Sequence, residues 1–171
     1  MSFIANKTNS KVYAPGYFLA HEECTRVTKT IPQSLATTAE NGTKYVKMGT
    51  VFPSNDANAI GIIYEDVDVT TGAMPGSVVT AGTVYESRLP EAVDTYSSAT
   101  VPTGGNPKQL GLYERSGSNP NYVYTLTTDT TAADGKTYYS YDGKKIASAV
   151  KTALADIKFV TEGAVTRPNW E

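Results

Sequence analysis

The chain is poor in the residues from which most active sites are built. Its 171 residues include one cysteine, Cys24, and one histidine, His21. A single cysteine cannot form an intramolecular disulfide. Ser/His/Asp or Cys/His catalysis would have to use one of these two side chains. The sequence contains neither a nucleophile elbow nor a P-loop. We therefore expect neither enzymatic activity nor a bound cofactor.

Metal-ligating side chains occur in two short clusters. Four adjacent residues such as His21–Cys24 cannot converge on one ion, and the HExxH spacing is absent, so a solvated polar patch is the simpler interpretation. Glu65, Asp66 and Asp68 either bind calcium or mark the acidic end of a strand. The twelve-residue calcium loop is missing, which favours the strand end. No metal site is expected.

Clustered positive charge and long apolar runs are also absent. The 15 basic and 17 acidic residues give a net charge of -2, and the basic residues are scattered rather than grouped as duplex binding requires. No apolar run approaches the ~20 residues of a membrane span. Residues 1–24 lack the pattern of a secretory signal. We expect no nucleic-acid partner, no membrane partner and synthesis in a cytoplasm.

Tyrosine is abundant where other aromatic residues are not. Twelve tyrosines stand against four phenylalanines and one tryptophan, in a chain that is 40% hydrophobic. This length and composition fit one domain, or one domain with a sizeable insertion. Because tyrosine joins an apolar ring to a polar tip, the excess indicates either partly wet interfaces or simply a β-rich surface.

Strand patterns dominate the first half of the chain. Arg26–Ile31 alternates between polar and apolar residues, and Asn41-Gly42 predicts a hairpin turn. The short apolar run Ile60–Tyr64 predicts a strand buried on both faces. Gly82 predicts a bulge or turn. Further strands are predicted at Lys47–Phe52, Glu65–Val69, Ser77–Thr80 and Thr83–Tyr85, with turns at Gly72 and Pro75-Gly76.

The second half combines a linker, a small β pattern and one helix. Leu89–Val93 predicts the start of a helix, and the Ser, Thr, Gly and Pro content of Ser97–Pro107 predicts a linker. Apolar residues at helical spacing predict a helix over Lys144–Ile157, with Asp142 as its cap and Phe159-Val160 as a final strand. Between them, strands are predicted at Gly111–Arg115, Tyr122–Leu126 and Thr137–Tyr139, with turns at Ser116–Pro120 and Asp134-Gly135. The fold class is therefore mainly β with one short C-terminal helical region (α+β).

Three blocks of the first half resemble the lambda-type head decoration proteins of tailed phages. They are Gly61–Asp68, Gly72–Val79 and Val84–Glu91. The resemblance implies a virion protein that is made in the host cytoplasm, trimerises, and binds the major capsid protein on the outer surface of the expanded head, which it stabilises. It implies no enzymatic activity. A second stretch, Leu110–Tyr141, is similar to a small β module of virion proteins from phages of Gram-positive bacteria.

The order of these segments predicts an insertion. In the decoration family, the Leu-Pro-Glu segment is followed by a short helical region and a last strand. Here the β module comes between them. We therefore predict an N-terminal arm (1–24), a decoration-like body (25–95 and 142–171) and an inserted β module (96–141).

Two groups of residues are candidates for function. The resemblance implies that the arm contacts the capsid, through Phe3, Ile4, Val12, Tyr13, Tyr17 and Phe18. Aromatic residues of the module stack on a surface ligand such as a glycan, or else fill its tiny core; these are Tyr113, Tyr122, Tyr124, Tyr138 and Tyr139. The alternatives to decoration are therefore a virion surface adhesion or glycan-binding module, and a tail-tube or fibre subunit.

Overall fold

The computed structural model describes residues 14–162 and divides the chain into two compact units. The body unit comprises Met1–Ala92 and Ile146–Glu171, and the inserted unit comprises Val93–Lys145. The inserted unit begins three residues before the predicted β module (96–141) and ends four residues after it. The strands are β1 (Leu19–Ile31), β2 (Thr37–Thr38), β3 (Lys44–Val46), β4 (Val51–Phe52), β5 (Gly61–Ile63), β6 (Val67–Asp68), β7 (Met74–Tyr85), β8 (Val93–Ala99), β9 (Tyr113–Ser118), β10 (Asn121–Leu126), β11 (Tyr138–Lys145) and β12 (Ile157–Val160).

Helical structure is short wherever the chain is described. The α-helix α1 spans Ser148–Ala153, and two 3₁₀ turns span Gln33–Leu35 and Glu86–Arg88. Over the same residues, no helix has the length and apolar character needed to cross a membrane. The expected mainly-β fold with one short helix near the C-terminus is confirmed.

The long strand β7 organises the main sheet of the body unit. It pairs with β1 on one side, and with β5 and the parallel strand β12 on the other, while β4 pairs with β5. Between the Thr25–Ala81 and Arg26–Val79 pairs the register shifts by one residue. The extra residue, Thr80, makes a bulge close to the predicted position at Gly82. The turn predicted at Pro75-Gly76 is wrong, because both residues pair with β1.

Alternation along β5 and β7 gives the main sheet a core on each face. Ile62 and Val79 belong to one buried cluster, whereas their neighbours Ile63 and Val78 belong to another. This confirms the prediction of a strand buried on both faces. Gly61 permits the close approach of β5 to β7, since a Cβ there would lie 2.5 Å from the carbonyl oxygen of Val79.

A second, small sheet has the order β2-β3-β6. The predicted hairpin at Asn41-Gly42 joins β2 to β3 and is confirmed. Gly42 adopts a φ of +82°, and its N–H donates to the carbonyl of Ala39. The side chain of Asn41 accepts from the N–H of Thr43, which closes the turn.

Two helix predictions need correction. Leu89–Val93 does not begin a helix; a 3₁₀ turn ends at Arg88 and β8 begins at Val93. The helix predicted over Lys144–Ile157 is only α1, because its first residues pair with β8 and Ile157 begins β12. Asp142 does not cap it, since the N-cap is Ala147. The apolar pattern still marks the buried residues, which are Ile146, Val150, Leu154 and Ile157.

The inserted unit is one antiparallel sheet of four strands in the order β10-β9-β11-β8. The linker predicted at Ser97–Pro107 is wrong at its start, because the last residues of β8 pair with β11. The turn predicted at Ser116–Pro120 is reduced to Asn119-Pro120, because Ser118 pairs with Asn121. Cross-strand pairing therefore overrode a local composition typical of loops.

Candidate functional site

Most of the predicted capsid-contacting arm lies outside the described residues. This holds for Phe3, Ile4, Val12 and Tyr13. Phe18 is 1% exposed and belongs to the core of the body unit, so its side chain cannot serve as an arm contact. Leu19–Cys24 form the start of β1, where Leu19 and Cys24 pair with Val84 and Gly82 of β7. The prediction that the arm extends to Cys24 is therefore wrong, because its last residues belong to strand β1 of the main sheet.

Arg88 joins the first and last described segments of the chain. Its guanidinium lies 4.4 Å from the ring centroids of both Tyr17 and Tyr85, and it donates to the Tyr17 carbonyl at 2.7 Å. It also pairs with Glu162, and this hydrogen bond lowers the pKa of the Glu162 carboxyl. Arg88 therefore holds the start of the described chain close to its end.

Glu91 is a largely buried carboxyl group next to the end of the body unit's first segment. Oε1 accepts from the N–H of Val51 at 3.2 Å, while the buried Oε2 meets no hydrogen-bond partner among the described residues. Burial raises the pKa of Glu91 above its usual value. The charged form is therefore disfavoured in the folded protein.

Glu91→Gln is expected to flatten the pH dependence of body-unit stability. Because the folded pKa is raised, the contribution of Glu91 is fully present below its unfolded pKa and is lost as pH rises through the folded pKa. The stability of the variant relative to the wild type should therefore increase as the pH rises from about 4 through the raised pKa of Glu91. Urea denaturation across this range measures it. The exposed Glu65→Gln is the control, and an equal change in both variants would contradict the expectation.

The acidic residues after β5 bind backbone rather than converging on a metal. Asp66 accepts from the N–H of Met48 at 2.7 Å, and Asp68 accepts from the N–H of Thr70 at 2.9 Å. The latter bond lowers the pKa of Asp68. Within residues 14–162, no group of three or more His, Cys, Asp or Glu side chains is placed to hold a metal ion. These carboxylates hold turns of the body unit.

Six tyrosines share one face of the inserted unit's sheet. Residues that pair directly across antiparallel strands lie on the same face. Tyr141 pairs with Tyr96, and Tyr139 pairs with Tyr113, whose strand β9 pairs in register with β10. We call this surface the tyrosine face; its aromatic members are Tyr96, Tyr113, Tyr122, Tyr124, Tyr139 and Tyr141.

The rings of the tyrosine face pack against one another. Tyr96 lies parallel to Tyr124 with ring centroids 4.0 Å apart, and Tyr113 contacts Tyr96 edge-on at 5.1 Å. Tyr139 contacts Tyr124 edge-on at 5.3 Å. Each such pair stabilises by about 0.5–1.5 kcal/mol beyond the buried area. Four of the predicted ligand residues, Tyr113, Tyr122, Tyr124 and Tyr139, are thus brought together on this face.

The prediction that Tyr138 contacts a surface ligand is wrong, because Tyr138 lies on the opposite face of the sheet. Its side chain is 2% exposed, and its hydroxyl donates to Asp129 at 2.6 Å and accepts from the N–H of Ala133. Lys136 pairs with both Asp129 and Glu114, at 2.7 and 3.0 Å. The hydrogen bond from Lys136 lowers the pKa of Asp129. Tyr138 is therefore part of an internal polar network and not a surface-ligand residue.

Sequence reasoning missed three members of this site. They are Tyr96, Tyr141 and Arg115. Tyr141 was detectable, since it alternates with Tyr139 along β11 as Tyr122 and Tyr124 do along β10. Tyr96 carried no such signal, because it stands directly before the Ser-, Thr-, Gly- and Pro-rich stretch Ser97–Pro107.

Comparison of the chain with protein-family models, with curated proteins and with solved structures finds no match. A function for these surfaces therefore rests on the residues and on their geometry.

Proposed function

We propose that the chain is a phage capsid decoration protein that binds the outer surface of the expanded head and stabilises it. The observation that carries the proposal is where the family-like blocks lie. Gly61–Asp68, Gly72–Val79 and Val84–Glu91 contain β5, β6, the two ends of β7 and the following 3₁₀ turn, and β5 and β7 are the inner strands of the main sheet. Their apolar residues Ile62, Ile63, Val78, Val79 and Val84 are fully buried. The resemblance thus concerns residues that determine the fold.

The proposed partners are the major capsid protein and two further copies of the chain. Strand β1 offers a means of attachment, because it is a 13-residue edge strand whose outer side carries no neighbour among the described residues. Edge strands accept an added strand through backbone hydrogen bonds. Tyr17, near the start of the described chain, contacts Arg88 of the same unit, and we propose residues 1–13 as the capsid-contacting arm. The role is structural and requires no catalysis, cofactor, nucleic acid or membrane.

The stabilising mechanism is mass action. A protein that binds the expanded shell and not its dissociated subunits lowers the free energy of the shell by an amount that grows with ligand concentration. A trimer that contacts several capsid subunits at once gains further from effective concentration. Many weak contacts repeated over a head therefore resist the pressure of packaged DNA.

Heat-induced DNA release from heads tests this stabilisation. Purified protein is added to DNA-filled heads from a phage deletion mutant that lacks it, and dye-accessible DNA is followed on heating. We expect a higher release temperature that saturates with protein concentration. Deletion of residues 1–13 should remove the effect, whereas deletion of 163–171, a control of similar size, should retain it. An unchanged release temperature at saturating protein would contradict the proposed function.

A further inference from the structure

The outer part of the tyrosine face remains open to solvent. Tyr122 is 38% exposed and Tyr141 is 46% exposed, in contrast to the nearly buried Tyr139. The hydroxyl of Tyr141 donates to Asp94 at 2.8 Å. In the strand register, Asp94 of β8 stands opposite Lys144 of β11. The face therefore combines flat apolar ring surfaces with polar groups at their edges.

Arg115 lies on the same face and has no acidic partner. Its guanidinium is 4.3 Å from the ring centroid of Tyr122 and 5.0 Å from that of Tyr139. Among the described residues, no carboxylate lies within ion-pair distance of it, whereas Lys136 on the opposite face is paired twice. A guanidinium that stacks on neighbouring rings keeps its N–H groups available for bidentate binding of a carboxylate.

The charges of the inserted unit discriminate between acidic ligands. Val93–Lys145 contains five acidic residues and five basic ones, so its net charge is zero. A polyanion such as single-stranded nucleic acid is bound by grooves with many cations, because each neutralised phosphate contributes. One unpaired arginine beside aromatic rings instead matches a ligand with flat apolar faces, many hydroxyl groups and an isolated carboxylate.

We propose that the tyrosine face binds an oligosaccharide that carries a carboxylate. The C–H face of a pyranose ring stacks on Tyr122, the carboxylate pairs with Arg115, and the hydroxyl groups of the sugar bind the polar edges of the neighbouring tyrosines. This surface is separate from the residues proposed to attach the body unit to a capsid. Its binding is therefore independent of that proposal.

Calorimetric titration of the full chain with trigalacturonate tests the inference. We expect saturable binding at millimolar concentration, with chitotetraose, which lacks carboxylates, binding about tenfold more weakly. Tyr122→Ala should weaken trigalacturonate binding about tenfold. Arg115→Gln should reduce binding of the acidic sugar to the level of chitotetraose.

Matched variants and probes keep this test decisive. Val123→Ala alters the adjacent, 56%-exposed residue on the opposite face and should leave binding unchanged. Nuclear magnetic resonance spectra of each variant establish that the inserted unit is folded. Failure of trigalacturonate to bind the folded wild-type protein overturns the inference. So does an equal loss in Tyr122→Ala and Val123→Ala, or tighter binding of oligothymidylate to the same residues.

Discussion

Glu86→Ala is expected to lower the free energy of unfolding of the body unit by about 3 kcal/mol. Glu86 is 5% exposed, and its Oε1 accepts from the N–H of Ile146 at 3.0 Å and pairs with Lys151. These contacts join the 3₁₀ turn after β7 to the chain where it returns from the inserted unit. Removing the carboxylate leaves a buried N–H without an acceptor, and the lysine without its counter-charge.

Urea denaturation of matched variants measures this effect. Glu162→Ala is the control, because it removes another paired carboxylate whose side chain is 41% exposed, and exposed pairs contribute about 1 kcal/mol or less. Glu86→Gln should fall between the two, since it keeps an acceptor for Ile146. If Glu86→Ala costs no more than Glu162→Ala, the buried contact does not hold the two segments together.

Replacement of Val93–Lys145 by a short Gly/Ser loop is expected to leave the body unit folded and to abolish sugar binding. Val93 and Lys145 are paired residues of β8 and β11, so the two ends of the insertion are neighbours. A short loop therefore bridges them without strain. Because the entropy of loop closure changes slowly with length, the stability of the body unit should change by about 2 kcal/mol or less.

The same excised protein provides an internal control. Glu86, Ile146 and Lys151 all belong to the body unit, so Glu86→Ala should cost the same free energy in the full and the excised chain. Denaturation of both backgrounds measures it. An excised chain without cooperative unfolding, or a loss that differs strongly between backgrounds, would show that the insertion is part of the body's core.

Features determined by local pattern could be predicted from the sequence. The run at Ile60–Tyr64 identified a strand buried on both faces, and Asn41-Gly42 identified a hairpin, because burial and positive φ leave direct marks on residue choice. The C-terminal apolar spacing identified the buried residues but not the helix length. Its ends were decided by pairing with β7 and β8, which are distant in sequence.

The same contrast between local pattern and long-range strand pairing applies to the candidate sites. Alternation correctly grouped Tyr122 with Tyr124, yet Tyr138 and Tyr139 were both predicted to contact a ligand, although only Tyr139 lies on that face. A strand with tyrosine at two successive positions does not reveal which one faces outward. Tyr96 joined the site only through the pairing of β8 with β11, which no local signal in the sequence announces.

Selective binding to expanded heads tests the proposed decoration function most directly. Purified protein is sedimented with expanded heads and, separately, with unexpanded proheads, both from a phage deletion mutant that lacks it. The proposal predicts saturable binding to expanded heads, with three copies of the protein at each binding site, and no binding to proheads. Equal binding to both particles, or binding to neither, would contradict it.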